Sequence, residues 1–174
     1  MNALSPWIAA HLSRIPFTGP VLDVACGAGR HSLALCARGR RVIAIDKDTD
    51  AIAAHGHVPG LTILTADLEA AHWPFRPQSF AGIIVVNYLW RPLFPDLAKA
   101  LQPGGVLLYD TFMRGNERFG RPRNPDFLLK PGELRQAFET SLETLDYFEG
   151  DVELPRPACR QMIAARKPLY PKAV

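Results

Sequence analysis

The sequence predicts an α/β domain built on a mostly parallel sheet, and three observations carry that prediction. Five short apolar runs with no helical period alternate with helical or loop segments, the pattern of βαβ units. A glycine turn, Cys26-Gly27-Ala28-Gly29, joins the first of these runs to the helix that follows it. The chain has 174 residues, 48% hydrophobic and 21% charged, ordinary globular values for a chain that builds one core of its own. The organisation expected is one domain over 1–174, with the N-terminal helical segment, 1–18, as a lid.

The first element reads as a helix with Ser5 as N-cap, Pro6 at the first helical position, and Trp7, Ile8, Leu12 and Ile15 as its apolar stripe. Gly19 and Pro20 break the chain before a buried strand at 21–25. A helix over 30–38 is stopped by Gly39, in the position that favours a left-handed cap. The second strand, 41–45, ends in Asp46, and Asp48 or Thr49 caps a helix over 50–55. A third strand at 61–65 runs into Asp67, and a fourth at 83–86 ends at Asn87. A helix over 93–101 carries Pro95 near its start, and Pro103-Gly104-Gly105 punctuates before a fifth strand at 106–110. From Met113 to Pro131 the composition turns to Arg, Asn, Gly and Pro, which predicts a long binding loop or lid, anchored by Phe119 and Phe127. A last helix over 131–138 precedes two late strands, 144–148 and 160–165.

The net charge of +3 is too small and scattered to argue by itself for a nucleic-acid partner, and none is expected. Three cysteines, Cys26, Cys36 and Cys159, lie far apart with no C-x-x-C spacing, which fits buried thiols in a reducing compartment. No basic start followed by an apolar run opens the chain, and no stretch reaches the length of a membrane span, so the expectation is a cytoplasmic protein with no membrane partner. His55 and His57 lack a third ligand at sensible spacing and read as a polar turn, not a metal site. There is no P-loop, and no nucleophile elbow surrounds Ser32.

Chemistry concentrates at the carboxyl ends of the predicted strands. Glycines after the first strand let the backbone turn tightly and approach a ligand. Ser32 stands where a dinucleotide fingerprint has its third glycine or alanine, which weakens a nicotinamide reading. Asp46 ends the second strand, where a carboxylate can accept both hydroxyls of a ribose; Asp67 follows the third, where it can accept from a purine amine. Ligands of open α/β sheets bind just outside these strand ends.

VLDVACGAGR at 21–30, the acid of AID at 44–46, TAD at 65–67 and LQPGGVLL at 101–108 together resemble the class I S-adenosylmethionine-dependent methyltransferases. That resemblance implies a Rossmann-like three-layer sandwich with a seven-stranded, mostly parallel sheet of order 3-2-1-4-5-7-6 and an antiparallel strand 7, which the two late strands fit. It implies S-adenosylmethionine as cofactor. Gly27 and Gly29 would then line the methionine moiety, with Ala25, Cys26 and Arg30 beside them and Asp23 helping to hold the amino group. Asp46, next to Lys47, would bind the ribose hydroxyls; Asp67 and the backbone of Leu68 would read the adenine; Asn87 would lie beside the reaction centre. FLLKPGELR at 127–135 and MIAARK at 162–167 are more loosely similar to small methyltransferases of the tellurite-resistance type.

A sulfonium passes its methyl group in line to a nucleophile, so orientation in a water-poor site can supply most of the catalysis. No protein nucleophile or divalent metal is required, and no catalytic residue is assigned. Tyr88, Arg91 and Asp110 are the groups expected to touch the acceptor. Residues 114–131 hold five cationic side chains against two acidic ones, so Arg121 and Arg123 are expected to recognise a small polar or anionic acceptor. Three alternatives stay open at this stage. One is a nucleic-acid or protein methyltransferase, although Asn87-Tyr88-Leu89-Trp90 departs from the N-P-P-Y type motif of adenine-methylating enzymes. The others are a protein that binds S-adenosylmethionine without turnover and a nicotinamide-dependent oxidoreductase, for which the chain leaves little room. Neither the acceptor's identity nor the oligomeric state is set by the sequence.

Overall fold

In a computed structural model of the chain, residues 4–170 are described. Residues 1–3 of the expected N-terminal lid, 1–18, and residues 171–174 of the expected domain lie outside them. Seven strands form one sheet: β1 (Val21–Val24), β2 (Val42–Asp46), β3 (Leu61–Thr65), β4 (Phe80–Val86), β5 (Leu101–Phe112), β6 (Glu143–Val152) and β7 (Ala158–Arg166). Their order is β3-β2-β1-β4-β5-β7-β6. The first five are parallel, and β7 runs antiparallel to both β5 and β6.

Strand periodicity sorts the apolar residues onto two covered faces. Leu22, Ile83, Val85, Leu107, Tyr109 and Ile163 pack on one face, against α4 (Phe94–Ala100) and α5 (Glu133–Phe138). Val21, Ile84, Val106, Leu108 and Ala164 point the other way. There they meet Ile8 and Ile15 of the N-terminal segment and Leu35 of α2 (Arg30–Cys36). Every residue of β4 is buried, as a central strand covered on both faces requires.

Several boundaries move. The first helix, α1, is only Pro6–His11 and continues as a 3-10 turn over Leu12–Arg14. Ser5 makes no side-chain cap bond there; its hydroxyl is used elsewhere. α3 closes after one turn, Asp50–Ala53; Asp48 accepts from the Asp50 N–H, while Thr49 pairs with Thr65. Pro103-Gly104-Gly105 does not precede β5 but lies within it, where the register against β4 shifts between Phe80 and Gly82.

The 113–131 segment is a loop with two short 3-10 turns, Asn116–Arg118 and Pro125–Phe127. Its expected anchors fail: Phe119 and Phe127 are 41% and 52% exposed. Leu128 and Leu129 are the buried anchors, because the Leu129 N–H bonds to the Phe112 carbonyl and draws the extended chain under β5.

Candidate active site

The turn after β1 needs its glycines for different reasons. Gly29 sits at φ +77°, and a Cβ there would lie 2.4 Å from Ile52 Cδ1, so the backbone packs directly on α3. Gly27 sits at φ +52° with nothing within 4 Å of where its Cβ would be. Its N–H donates to Asp46 Oδ2 at 2.8 Å, and Asp46 Oδ1 accepts from the Asp48 N–H at 3.1 Å. The carboxylate ending β2 is thus oriented by two backbone donors, while each oxygen retains a further acceptor position.

Asp23 is 1% exposed and turned into the protein, where its Oδ2 accepts from the Ser32 N–H and, at 2.6 Å, from the Ser32 hydroxyl. Ser32 therefore clamps α2 to the end of β1, at the position where a dinucleotide fingerprint would have a glycine or alanine. Burial pushes the Asp23 carboxyl up to about 6, against the opposing pull of those two bonds. Burial also pushes the Cys26 thiol up to about 12, which leaves it an inert packing group.

Outside the ends of β1, β2 and β3 lies a cavity of about 260 Å³ lined by Ala25, Asp46, Lys47, Asp67, Leu68 and Tyr88. Asp67 Oδ1 accepts from the Glu69 N–H at 2.9 Å, which fixes the turn beyond β3. Tyr88, expected toward an acceptor, forms part of this wall, and burial with Glu69 and Asp67 nearby raises its phenol.

Asn87, with φ +57°, forms the other side of the same turn of chain after β4. Its N–H donates to the Asp110 carbonyl at 3.0 Å, and its Oδ1 accepts from Arg160 at 2.6 Å. Arg160 Nε donates to Asp110 Oδ1 at 2.6 Å, and the guanidinium lies over the Phe112 ring at 4.4 Å. The Ser5 hydroxyl donates to the other oxygen of Asp110, and the Ser5 N–H donates to His31 Nε2. Burial, with Arg30 adding repulsion, lowers His31 to about 4, so it stays a neutral acceptor near neutral pH. Sequence reasoning missed Ser5, His31 and Arg160. Only Arg160 left a trace, as a charge at the start of an apolar strand, which calls for a buried partner.

Three cavities surround Asn87. One of about 500 Å³ lies beneath α1, lined by Trp7, Arg30, Asp110, Phe148, Leu154 and Met162 among others. One of about 540 Å³ is lined by the loop and by Arg121, Arg123 and Arg156. A third, of about 310 Å³, includes Tyr88, Thr111 and Phe127 and bridges toward the Asp46 side. Asn87 lines all three. Arg91 is not brought to any of these cavities. Its guanidinium forms a fork with Glu133 and donates to the carbonyls of Asp126 and Leu128, which ties the loop to α5. Among the described residues no three His, Cys, Asp or Glu side chains cluster as a metal site.

Residues 21–105 match the profile of the family described as "Methyltransferase domain". No curated protein matches the chain in sequence. Among solved structures, TehB from Haemophilus influenzae superposes with a TM-score of 0.77 at 20% identity, covering 96% of this chain and 63% of TehB. The chain therefore spans less than two thirds of that relative. An S-adenosylmethionine-dependent methyltransferase from Mesorhizobium loti gives 0.71 at 21% identity, covering 91% of this chain and 96% of the other. One from Methanosarcina mazei gives 0.74 at 19% identity, covering 97% and 100%. At these identities the structures speak for the fold.

Proposed function

We propose that this chain is a class I S-adenosylmethionine-dependent methyltransferase that moves a methyl group to a small acceptor held beside Asn87, a reading its methyltransferase-domain match and its fold support. One observation carries the reading: the Asp46 cavity and the cavities of the loop side meet at the adjacent residues Asn87 and Tyr88. A nucleoside on one side and an acceptor on the other would face each other there.

The residues around the Asp46 cavity fit the cofactor. The space at Gly27 admits a ligand where any Cβ would intrude, and the oriented Asp46 carboxylate suits two ribose hydroxyls. Asp67 and the backbone of Leu68 stand where an adenine would end. Ala25 and Lys47 line the approach, Cys26 packs behind the turn with Ala44 and Ile52, and Arg30 faces the cavity under α1 from the same turn. Asp23 supports the site through Ser32 from beneath. S-adenosylmethionine, when bound, supplies a methyl group whose bond to sulfur breaks as the bond to the acceptor's lone pair forms, leaving S-adenosylhomocysteine.

The chain's own residues orient the acceptor. The carboxylate of Asp110 is held by Arg160 and Ser5. His31 accepts from Ser5, and both ring nitrogens of His11 are engaged, by Trp7 and Asp146. Among the described residues no unengaged base therefore faces the cavity under α1, which favours an acceptor whose nucleophilic lone pair is free at working pH. The N-terminal segment acts as a lid, since Ser5 fastens α1 over the strand ends.

Native mass spectrometry of the purified protein is expected to find retained S-adenosylmethionine or S-adenosylhomocysteine. Asp46→Ala is expected to weaken S-adenosylhomocysteine by about 1.5–3 kcal/mol, the range for charged hydrogen bonds. Unchanged affinity by calorimetry would remove Asp46 from the site, and retained NAD would favour an oxidoreductase instead.

A further inference from the structure

The lining of the two large cavities carries information about the acceptor's class, beyond the methyltransferase reading on which this inference rests. Arg121 and Arg123 of the loop and Arg156 of the β6–β7 turn line one cavity, and no Asp or Glu does. None of the three has a hydrogen bond or ion pair among the described residues. Neighbouring arginines are treated otherwise: Arg91 is paired with Glu133, Arg118 with Asp151 and Arg160 with Asp110. Like charges gathered without a counter-charge repel one another, and an anion entering among them relieves that repulsion.

The cavity under α1 is lined more by apolar side chains, although Arg30, Arg156 and Arg160 also border it. Trp7, Phe148, Val152, Leu154 and Met162 line it, and its one acid, Asp110, is engaged by Arg160 and Ser5. Phe148 and Leu154 are 36% and 74% exposed, and Phe127 at the neighbouring wall is 52% exposed. Large apolar side chains left open at the rim of a cavity mark a surface that a ligand covers. Asn87, Phe112 and Arg156 line both cavities, so the two lie side by side at these residues.

We infer that the acceptor is an amphipathic organic anion. Its carboxylate or phosphate head lies among Arg121, Arg123 and Arg156, its apolar body lies against Trp7, Phe148 and Leu154, and the atom to be methylated lies between them at Asn87. Arg156 is the specificity-determining residue of this arrangement because it alone of the three arginines faces both compartments. Its position in the turn before β7 gave no signal in the sequence.

The test uses isosteric probes: 2-naphthoate, neutral 2-naphthamide and cationic 2-naphthylmethylamine. Each is titrated calorimetrically into the full chain, with and without saturating S-adenosylhomocysteine, and acetate serves as a head group without a body. The naphthoate is expected to bind about tenfold or more tightly than the amide, with the amine weakest and acetate undetected. Arg156→Gln is expected to remove the preference for acid over amide. Leu154→Ser, at an exposed position that folding tolerates, is expected to weaken acid and amide by the same factor. Equal binding of acid and amide, preference for the amine, acetate as tight as naphthoate, or no binding of any naphthyl probe would each overturn the inference. Failure of S-adenosylhomocysteine to bind would instead strike the methyltransferase reading, and is scored in the same titrations.

Discussion

The two glycines of the β1–α2 turn offer a prediction whose magnitude follows from their surroundings. Any side chain at Gly29 or Gly27 must adopt φ +77° or +52°, and left-handed backbone costs a non-glycine residue about 1–2 kcal/mol. Alanine recovers about 0.4–1 kcal/mol by restricting the unfolded chain. At Gly27 nothing else changes, so Gly27→Ala is expected to lose about 1 kcal/mol of stability. At Gly29 the new methyl would meet Ile52 Cδ1 at 2.4 Å, a buried contact, and overpacking adds about 1–3 kcal/mol. Gly29→Ala is therefore expected to lose about 2–4 kcal/mol. Urea unfolding measures both, and calorimetry with S-adenosylhomocysteine separates them. Gly27→Ala loses affinity while staying folded, whereas Gly29→Ala loses stability first. In an Ile52→Ala background the Gly29 substitution should cost only its backbone share, a coupling that a double-mutant cycle reads directly. The reasoning is refuted if Gly29→Ala costs the same in both backgrounds, or if Gly27→Ala destabilises as much and leaves binding intact.

Three further outcomes are expected. Because burial raises Asp23 from 3.8 to about 6, the folded state keeps a proton that the unfolded chain releases, and that contribution is lost as pH rises from 3.8 to 6. The stability of Asp23→Asn relative to wild type should thus grow across that window, by up to about 3 kcal/mol, and level off above it; a flat difference in urea midpoints contradicts this. His31 is lowered from 6.5 to about 4, so its stabilising neutral form is fully present above 6.5 and is lost as pH falls through 4. Trp7 emission, read in a Trp73→Phe, Trp90→Phe background, should report α1 loosening over that range, and His31→Gln should abolish the transition. Arg91→Ala should speed amide exchange over 126–130 while leaving S-adenosylhomocysteine affinity unchanged, since the guanidinium holds loop carbonyls and Glu133; unaltered protection would show that the fork with Glu133 does not hold the loop.

The β1–β3 end of the candidate site was legible because its parts are local. A parallel strand followed by a glycine turn or an acid is a short, contiguous pattern, and Gly27, Asp46 and Asp67 lie at those ends in the structure as the sequence suggested. What the sequence hid was the direction in which side chains turn. Asp23 looked like a ligand contact and is sealed under Ser32; Ser5 looked like a helix cap and bonds across the sheet to Asp110. Arg91 followed β4 closely enough to suggest the acceptor, yet three nearby acceptors on the loop and α5 claim it. Phe119 and Phe127 were the obvious loop anchors by hydrophobicity, but backbone pairing with Phe112 selects Leu128 and Leu129 instead.

The region around Asn87 and Asp110 has no motif because sheet topology, not sequence proximity, assembles it. In the parallel strands only carboxyl ends reach the ligand edge, which is why β4 offers Asn87 and β5 offers Asp110. β7 is antiparallel, so its first residues lie at that same edge, and the register sets Arg160 opposite Phe112 and Met162 opposite Asp110. The reversal also carries the β6–β7 turn there, and Arg156 with it. Had β7 run parallel to β5, Arg160 would enter from the far edge, and the buried Asp110 would have no cation to balance it. A buried carboxylate without such a partner costs several kcal/mol or takes up a proton. The antiparallel strand therefore supplies both the counter-charge that lets Asp110 stay buried beside Asn87 and the exposed arginine that lines both large cavities there.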